Sequence, residues 1–215
     1  MTSPEDRPGA PGRDAATGAP GAVSAPGSAR LGGVRGVIRP ARPEDVAEIL
    51  AMIRELAEYE RSAHEVRASE DLLADLLFGS NSPSGAPAAY CHVALASADD
   101  AELAGMALWF LNASTWEGRH GIYLEDLYVR PAFRGLGLGR SLMAELARIC
   151  VDRGYARLEW WVLDWNEGAI DFYGKLGAVP MDEWTVHRLT GEALRTLGTA
   201  ALESREAPEG SDMNR

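Results

Sequence analysis

A glycine-rich turn sits between two strongly patterned segments of this 215-residue chain and limits what they can build. The apolar run Ile122 to Val129 reads as a buried strand, and Ser141 to Val151 reads as an amphipathic helix. Between them lies Arg134-Gly135-Leu136-Gly137-Leu138-Gly139-Arg140. Glycines at a strand-to-helix turn let backbone N–H groups converge at the helix N-terminus, where the dipole also favours an anion. The expected ligand is a phosphate or pyrophosphate. Spacing narrows the choice. A dinucleotide fingerprint starting at Gly135 needs its third glycine at position 140, which is Arg140. A Walker A loop needs Gly-Lys-Ser/Thr, whereas Gly139 is followed by Arg140-Ser141. What remains is Arg-x-x-Gly-x-Gly, from Arg134 to Gly139. For the heptapeptide alone, a ligand-free connector is the alternative reading.

Hydrophobic residues make up 46% of the chain, enough for one domain with a core plus tails. No apolar run approaches the roughly 18 residues of a membrane span, and the N-terminus lacks a basic-then-apolar signal pattern. Cys91 and Cys150 sit inside apolar runs and read as buried thiols. No disulfide framework is indicated, which fits a reducing, cytoplasmic compartment. The net charge of -11 argues against nucleic acid and anionic membrane as partners and is compatible with a cationic substrate. Residues 1–33 are rich in Gly, Pro and Ala and are expected to be a disordered leader. A domain is expected over 34–198, followed by a flexible tail over 199–215.

Val34 to Arg39 reads as a first strand. Pro43 opens a helix with Glu44 and Asp45 in its first turn, and Val46, Ile49, Leu50, Ile53 and Leu56 share one face. Ser69 caps a second helix, Glu70 to Phe78, which Gly79 ends. Asn81 to Pro87 is a loop. Ala89 to Ala96 and Leu103 to Leu111 read as strands joined by a turn at Asp99-Asp100. A strand over Gly121 to Val129 precedes the glycine loop. Gly154 stops the following helix. Ala156 to Leu163 is a strand, Asn166 caps a helix to Leu176, and a last strand is expected over Trp184 to Leu189. This order predicts a mixed α/β sheet with helices on both faces.

Glu125 and Asp126 interrupt the apolar strand. Strict alternation places Glu125 with Tyr123 and Leu127, and Asp126 with Leu124 and Tyr128. Carboxylates in a buried strand need a partner, because desolvating a charge is costly. An arginine, a helix N-terminus or an oligomer contact could supply one. The functional alternative is an amine site, with the carboxylate as cation anchor or proton acceptor. Downstream, Asn166 is a helix cap in its own right, and Tyr173 shares a helix face with Ile170. His64, His92, His120 and His187 show no ligand spacing, so no metal is assigned. Trp160, Trp161 and Trp184 read as core and dimer packing.

Taken together, Arg-x-x-Gly-x-Gly followed by Asn166-x-x-x-Ile170-x-Phe172-Tyr173-x-x-x-Gly177-Ala178 resembles the GCN5-related N-acetyltransferases. Ile38-Arg39-Pro40-Ala41, Glu55-Leu56-Ala57-x-Tyr59-Glu60, Tyr123-Leu124-Glu125-Asp126-Leu127 and Trp165-Asn166-Glu167 are similar to the diamine (spermidine/spermine) and thialysine branch. The resemblance implies a mostly antiparallel central sheet and acetyl-CoA as co-substrate. It implies that Leu127 and Val129 offer backbone groups to the pantetheine arm. The amides of Arg134, Gly135, Gly137, Gly139 and Arg140 take the pyrophosphate, and Asn166 touches the cofactor. Tyr173 becomes the general acid beside the sulfur and Glu125 the base. Asp126, Tyr59, Glu60 and Trp116 belong to the amine pocket. It also implies a homodimer. Polyamine-acetylating members carry an acidic residue and a proline just before a tryptophan, whereas Leu111-Asn112-Ala113-Ser114-Thr115-Trp116 has no carboxylate. A lysine-like acceptor such as thialysine therefore fits better than a long polycation.

The chemistry expected is direct acetyl transfer to a primary amine of a small cationic molecule. An alkylammonium near pKa 10.4 must lose a proton before it attacks. A thiolate leaving group, with a conjugate acid near 8.5, can be protonated by a phenol near 10. A different amine, on a peptide N-terminus or an aminoglycoside-like drug, is the rival within enzymes. A non-catalytic acyl-CoA sensor is the rival from another class.

Overall fold

The computed structural model describes residues 36–79, 85–96 and 102–206, with side chains through residue 200. The leader over 1–33, the turn at Asp99-Asp100, most of the loop from Asn81 and the end of the tail lie outside the described residues. Two compact units divide at Leu163 and Asp164.

In the first unit, β1 (Val37–Pro40), β2 (Tyr90–Leu95), β3 (Leu103–Ser114), β4 (Arg119–Val129) and β5 (Leu158–Trp160) lie side by side in chain order. The first four pair antiparallel, and β5 joins β4 in parallel. The expected mixed, mostly antiparallel sheet is therefore present. The parallel step is made by α3 (Leu138–Arg153), which carries the chain back to the starting end of β4.

Pro43–Asp45 forms a single 3-10 turn rather than the first turn of an α-helix. Arg39 donates to both Asp45 oxygens at 2.6 and 2.9 Å, and the Arg42 amide donates to the same carboxylate at 2.7 Å. This fixes the entry to α1 (Val46–Tyr59). Its buried Val46, Ile49, Leu50 and Met52 pack with Leu73 and Leu77 of α2 (Glu70–Phe78) against Val93, Leu95, Met106, Leu108 and Tyr128. Ser69 caps α2 by accepting from the Leu72 amide. On the opposite face, α3 buries Leu138, Leu142, Met143, Leu146 and Cys150. Its Glu145 lies 3.9 Å from His92, the strand neighbour of Cys91 and Val93, so helices cover both faces. Each fully buried Leu or Ile contributes about 1.5–3 kcal/mol. Cys91 and Cys150 are buried free thiols, as expected.

In the second unit, Asn166 caps α4 (Glu167–Lys175) by accepting from the Ala169 amide at 3.3 Å. Helix α5 (Gly191–Glu206) follows. The sequence reading missed α5 and placed a strand at Trp184 to Leu189 instead, which the structure corrects. Trp184, Val186 and Leu189 are all exposed, so their apolar alternation marks no buried face, and no strand pairs with them among the described residues. The core-packing role read for Trp161 and Trp184 is corrected too, at 58% and 67% exposure. The expected strand over Ala156 to Leu163 shrinks to Leu158–Trp160, because only Ile122 to Leu124 of β4 pair with it.

Candidate active site

Beyond Leu124, β4 runs on to Val129 with no strand on its β5 side among the described residues. The sheet thus opens a gap in which backbone groups of β4 are left for another partner. The glycine loop follows directly. After the 3-10 turn Pro131–Phe133, Gly135 and Gly137 take left-handed φ values of 79° and 81°. An L-residue there is strained by about 1–2 kcal/mol. A Cβ on either glycine would meet nothing within 4 Å, so the space beside the turn is open. Gly137 starts α3, and the first helical bond runs from the Ser141 amide to its carbonyl at 3.0 Å. The amides of Leu138, Gly139 and Arg140 therefore have no intrahelical acceptor. No side chain caps them, and the first turn contains no acidic residue. Open space, bare amides and a positive dipole end fit a pyrophosphate.

The acidic half of the site depends on a register shift. Leu108 pairs with Asp126, but Trp109 pairs with Leu124, so Glu125 is an extra residue bulged out of β4. This corrects the strict alternation expected from sequence. Opposed residues share a face, so Asp126 sits with Leu108, Tyr128 with Met106, and Tyr123 with Phe110, whose ring centroid is 5.0 Å away. All three point to the α1 side, and Leu124 does not. Glu125 is exposed rather than buried, and Asp126 is half-buried. Burial, then the charges of Glu125 and Glu60, push the Asp126 carboxyl up to about 6. Glu60, just past the end of α1, is likewise pushed up by burial. Three acidic side chains from two elements thus converge where no cation compensates Asp126 strongly enough to restore its ordinary value.

Beside them is an aromatic and cationic seam that sequence reasoning missed. The Arg134 guanidinium lies 5.6 Å from the Tyr59 ring centroid and 5.8 Å from that of Tyr128, within cation–π range. Its Nε donates to the Val129 carbonyl at 2.9 Å. The first residue of the glycine loop therefore touches both the end of α1 and the end of β4. Arg130 pins the same two elements together, donating to Glu55 at 3.0 Å, to Glu48 at 2.9 Å and to the Leu103 carbonyl at 3.0 Å. Burial and the Glu55 carboxylate, which accepts the Tyr128 hydroxyl hydrogen bond, hold that phenol protonated above its ordinary value. Glu55 and Tyr59 are one helical turn apart, the only sequence hint that both serve one end of the sheet.

Trp116 is not brought to this corner. It sits in the turn between β3 and β4, 89% exposed, several residues along the strand from Glu125. In the second unit, Tyr173 is half-buried on α4, its ring centroid 5.2 Å from that of Phe172.

A mixed sheet that opens beside β4, with bare helix amides and converging carboxylates, has the form of an acyl-CoA-dependent amine acyltransferase. The chain belongs to the acetyltransferase (GNAT) family, whose model matches residues 46–178. It is 40% identical over 169 residues to the thialysine N-epsilon-acetyltransferase of Bos taurus, covering 75% of this chain and 96% of that protein. It is 33% identical over 197 residues to the L-ornithine N5-acetyltransferase NATA1 of Arabidopsis thaliana, covering 74% and 86%. Among solved structures, the integron cassette protein VCH_CASS6 from the mobile metagenome of V. cholerae superposes with a TM-score of 0.61 at 25% identity, covering 77% of this chain and 99% of that one. The chain is an acetyl-CoA-dependent N-acetyltransferase acting on an amine. No described helix is long and apolar enough to cross a membrane.

Proposed function

We propose that the acceptor is the side-chain amine of a small lysine-like amino acid, thialysine being the model case. The carrying observation is the corner of Glu60, Glu125 and Asp126, where burial first, and then the charges of the two neighbouring acids, raise the Asp126 carboxyl to about 6. A bound ammonium offsets both the burial of the Asp126 charge and its repulsion by the neighbouring acids, so the corner favours a cationic ligand. The similarity to enzymes named for thialysine and L-ornithine supports the same class. The β3–β4 hairpin stretch Leu111 to Trp116 offers no further carboxylate for a long polyamine.

In this reading Asp126 and Glu60 hold the ammonium, with Tyr59 beside them. Glu125, exposed on the bulge, accepts the proton that the amine must lose, directly or through water. Acetyl-CoA supplies the activated acyl group as a thioester. The amides of Gly135, Gly137, Gly139 and Arg140 and of Arg134 bind its pyrophosphate. Leu127 and Val129 offer the β4 edge to its pantetheine arm. One lone pair of the Val129 carbonyl is already taken by Arg134, which leaves its amide as the stronger candidate. In this reading that amide or the one at Leu127 stabilises developing negative charge on the thioester carbonyl oxygen. Asn166 contacts the cofactor, and the Tyr173 phenol returns a proton to the departing thiolate. The enzyme works in the cytoplasm as a homodimer.

An amine panel with acetyl-CoA tests the reading. Thialysine or lysine should outperform spermidine, putrescine, an aminoglycoside and a peptide N-terminus in kcat/KM. Preference for any of the last four would overturn it.

A further inference from the structure

Arg134 stands where the braced end of β4 gives way to the open loop. Before it, the Pro131–Phe133 turn is closed by the Phe133 amide, which donates to the Arg130 carbonyl at 2.9 Å. After it come the left-handed Gly135 and Gly137, with open space beside both. Its side chain turns back to the sheet. Nε donates to the Val129 carbonyl at 2.9 Å, and the guanidinium lies within cation–π range of both Tyr128 and Tyr59. The two rings are held differently. Tyr128 is 6% exposed in β4, and its hydroxyl donates to Glu55, which Arg130 binds in turn. Tyr59 is the last residue of α1 and is 45% exposed, so packing fixes less of it. Tyr128 lies two residues from Asp126 on one strand face, and Tyr59 adjoins Glu60. One guanidinium therefore reaches from the start of the glycine loop to the residues that flank the acidic corner.

We propose that Arg134 is a positioning residue whose side chain couples the two binding sites, fixing Tyr59 and the end of α1 when coenzyme A orders the glycine loop. Acceptor and cofactor then bind more tightly together than apart. The inference rests on the function proposed above for where the acceptor lies, and not for which amine it is. Holding a long arginine in one rotamer costs side-chain entropy. The first ligand to bind meets that cost, and the second does not meet it again. Such coupling is reciprocal, so each ligand raises the affinity of the other by the same factor. The side-chain role is separate from the peptide groups of the loop, which any residue at this position would present.

Calorimetry on the whole chain tests this. Coenzyme A, which carries no acetyl group to transfer, is titrated alone and with saturating lysine, thialysine or spermidine. In the unaltered protein at least one of these amines should tighten coenzyme A by about fivefold or more. In Arg134→Met, which keeps a long side chain without the cation or the donor, that factor should fall below about twofold, whatever the affinity for coenzyme A alone. Arg134→Lys still presents a cation to the rings and should keep part of it. Tyr59→Leu should lose it as well, and Arg134→Met added to Tyr59→Leu should cause no further loss. A merely structural Arg134 would weaken coenzyme A equally with and without amine, leaving the factor intact, and that result overturns the proposal. A factor near one for all three amines in the unaltered protein overturns it too. Arg134-dependent coupling to spermidine, with none to lysine or thialysine, would sink the acceptor proposed above and leave this inference standing.

Discussion

Trp109 donates its indole N–H to His92, Nε1 to Nδ1 at 3.1 Å, on the face of the sheet that packs against α3. Accepting at Nδ1 leaves the His92 proton on Nε2, which lies 3.9 Å from a Glu145 oxygen without a hydrogen-bond partner. Burial, opposed by Glu145, pushes the imidazole down to about 4.

This pair predicts acid-sensitive stability. The folded protein holds His92 neutral, whereas the unfolded chain protonates it near 6.5. The contribution is fully present above 6.5 and is lost as pH falls towards 4, by about 3 kcal/mol. Urea unfolding of the unaltered protein and of His92→Phe across that range should give a steeper loss in the former. Parallel curves would remove His92 as the cause.

Asp126 has the opposite sign. Its folded carboxyl ionises near 6, above the 3.8 of the unfolded chain, so its ionised form weakens the fold at neutral pH. Asp126→Asn should raise stability at pH 7.5 by about 1–3 kcal/mol while raising the acceptor KM. In the unaltered enzyme, acceptor KM should fall as pH rises through about 6. Lower thermal stability in the variant would contradict this account.

Glu125→Gln should lower kcat by about 10²–10³-fold at pH 7 and shift activity towards higher pH, where more free amine exists. A pH–rate profile identical to that of the parent would exclude the carboxylate as base.

Gly137→Ala places a methyl group on a left-handed backbone with open space around it. Strain should cost about 1–2 kcal/mol in thermal unfolding. Acetyl-CoA affinity measured by calorimetry should fall at least tenfold, since the methyl group enters the space given to pyrophosphate. Unaltered binding would move the pyrophosphate elsewhere.

Tyr173→Phe should cut kcat by about 10²-fold and leave acetyl-CoA affinity within about threefold. An unchanged turnover number would remove the phenol from the acid role.

Much of this structure could be read in the chain. The apolar stripe on α1, the caps at Ser69 and Asn166, and the glycine turn before α3 are local patterns, and each appears where the sequence puts it. What escaped was non-local. The extra residue at Glu125 is visible only when β4 is laid against β3, because a bulge is a property of two strands. The short β5 depends likewise on how far β4 pairs with it. Arg134 was assigned a backbone role, and nothing in its neighbours indicated that its side chain would meet a tyrosine from α1. Arg61 carried no glycine signal, and its left-handed φ of 61° follows from the bonds that close α1 behind it.

The bulge at Glu125 also divides the labour of change between two parts of the molecule. Glu125 faces outward at the cost of one unpaired position in the longest ladder of the sheet, with Asp126 beside it turned towards α1, so this acidic half is locked into the scaffold. The other half hangs from the last turn of a helix, where residues can be exchanged without disturbing any strand. Substitutions at the Tyr59–Ser62 corner can therefore accumulate without altering the register of the sheet.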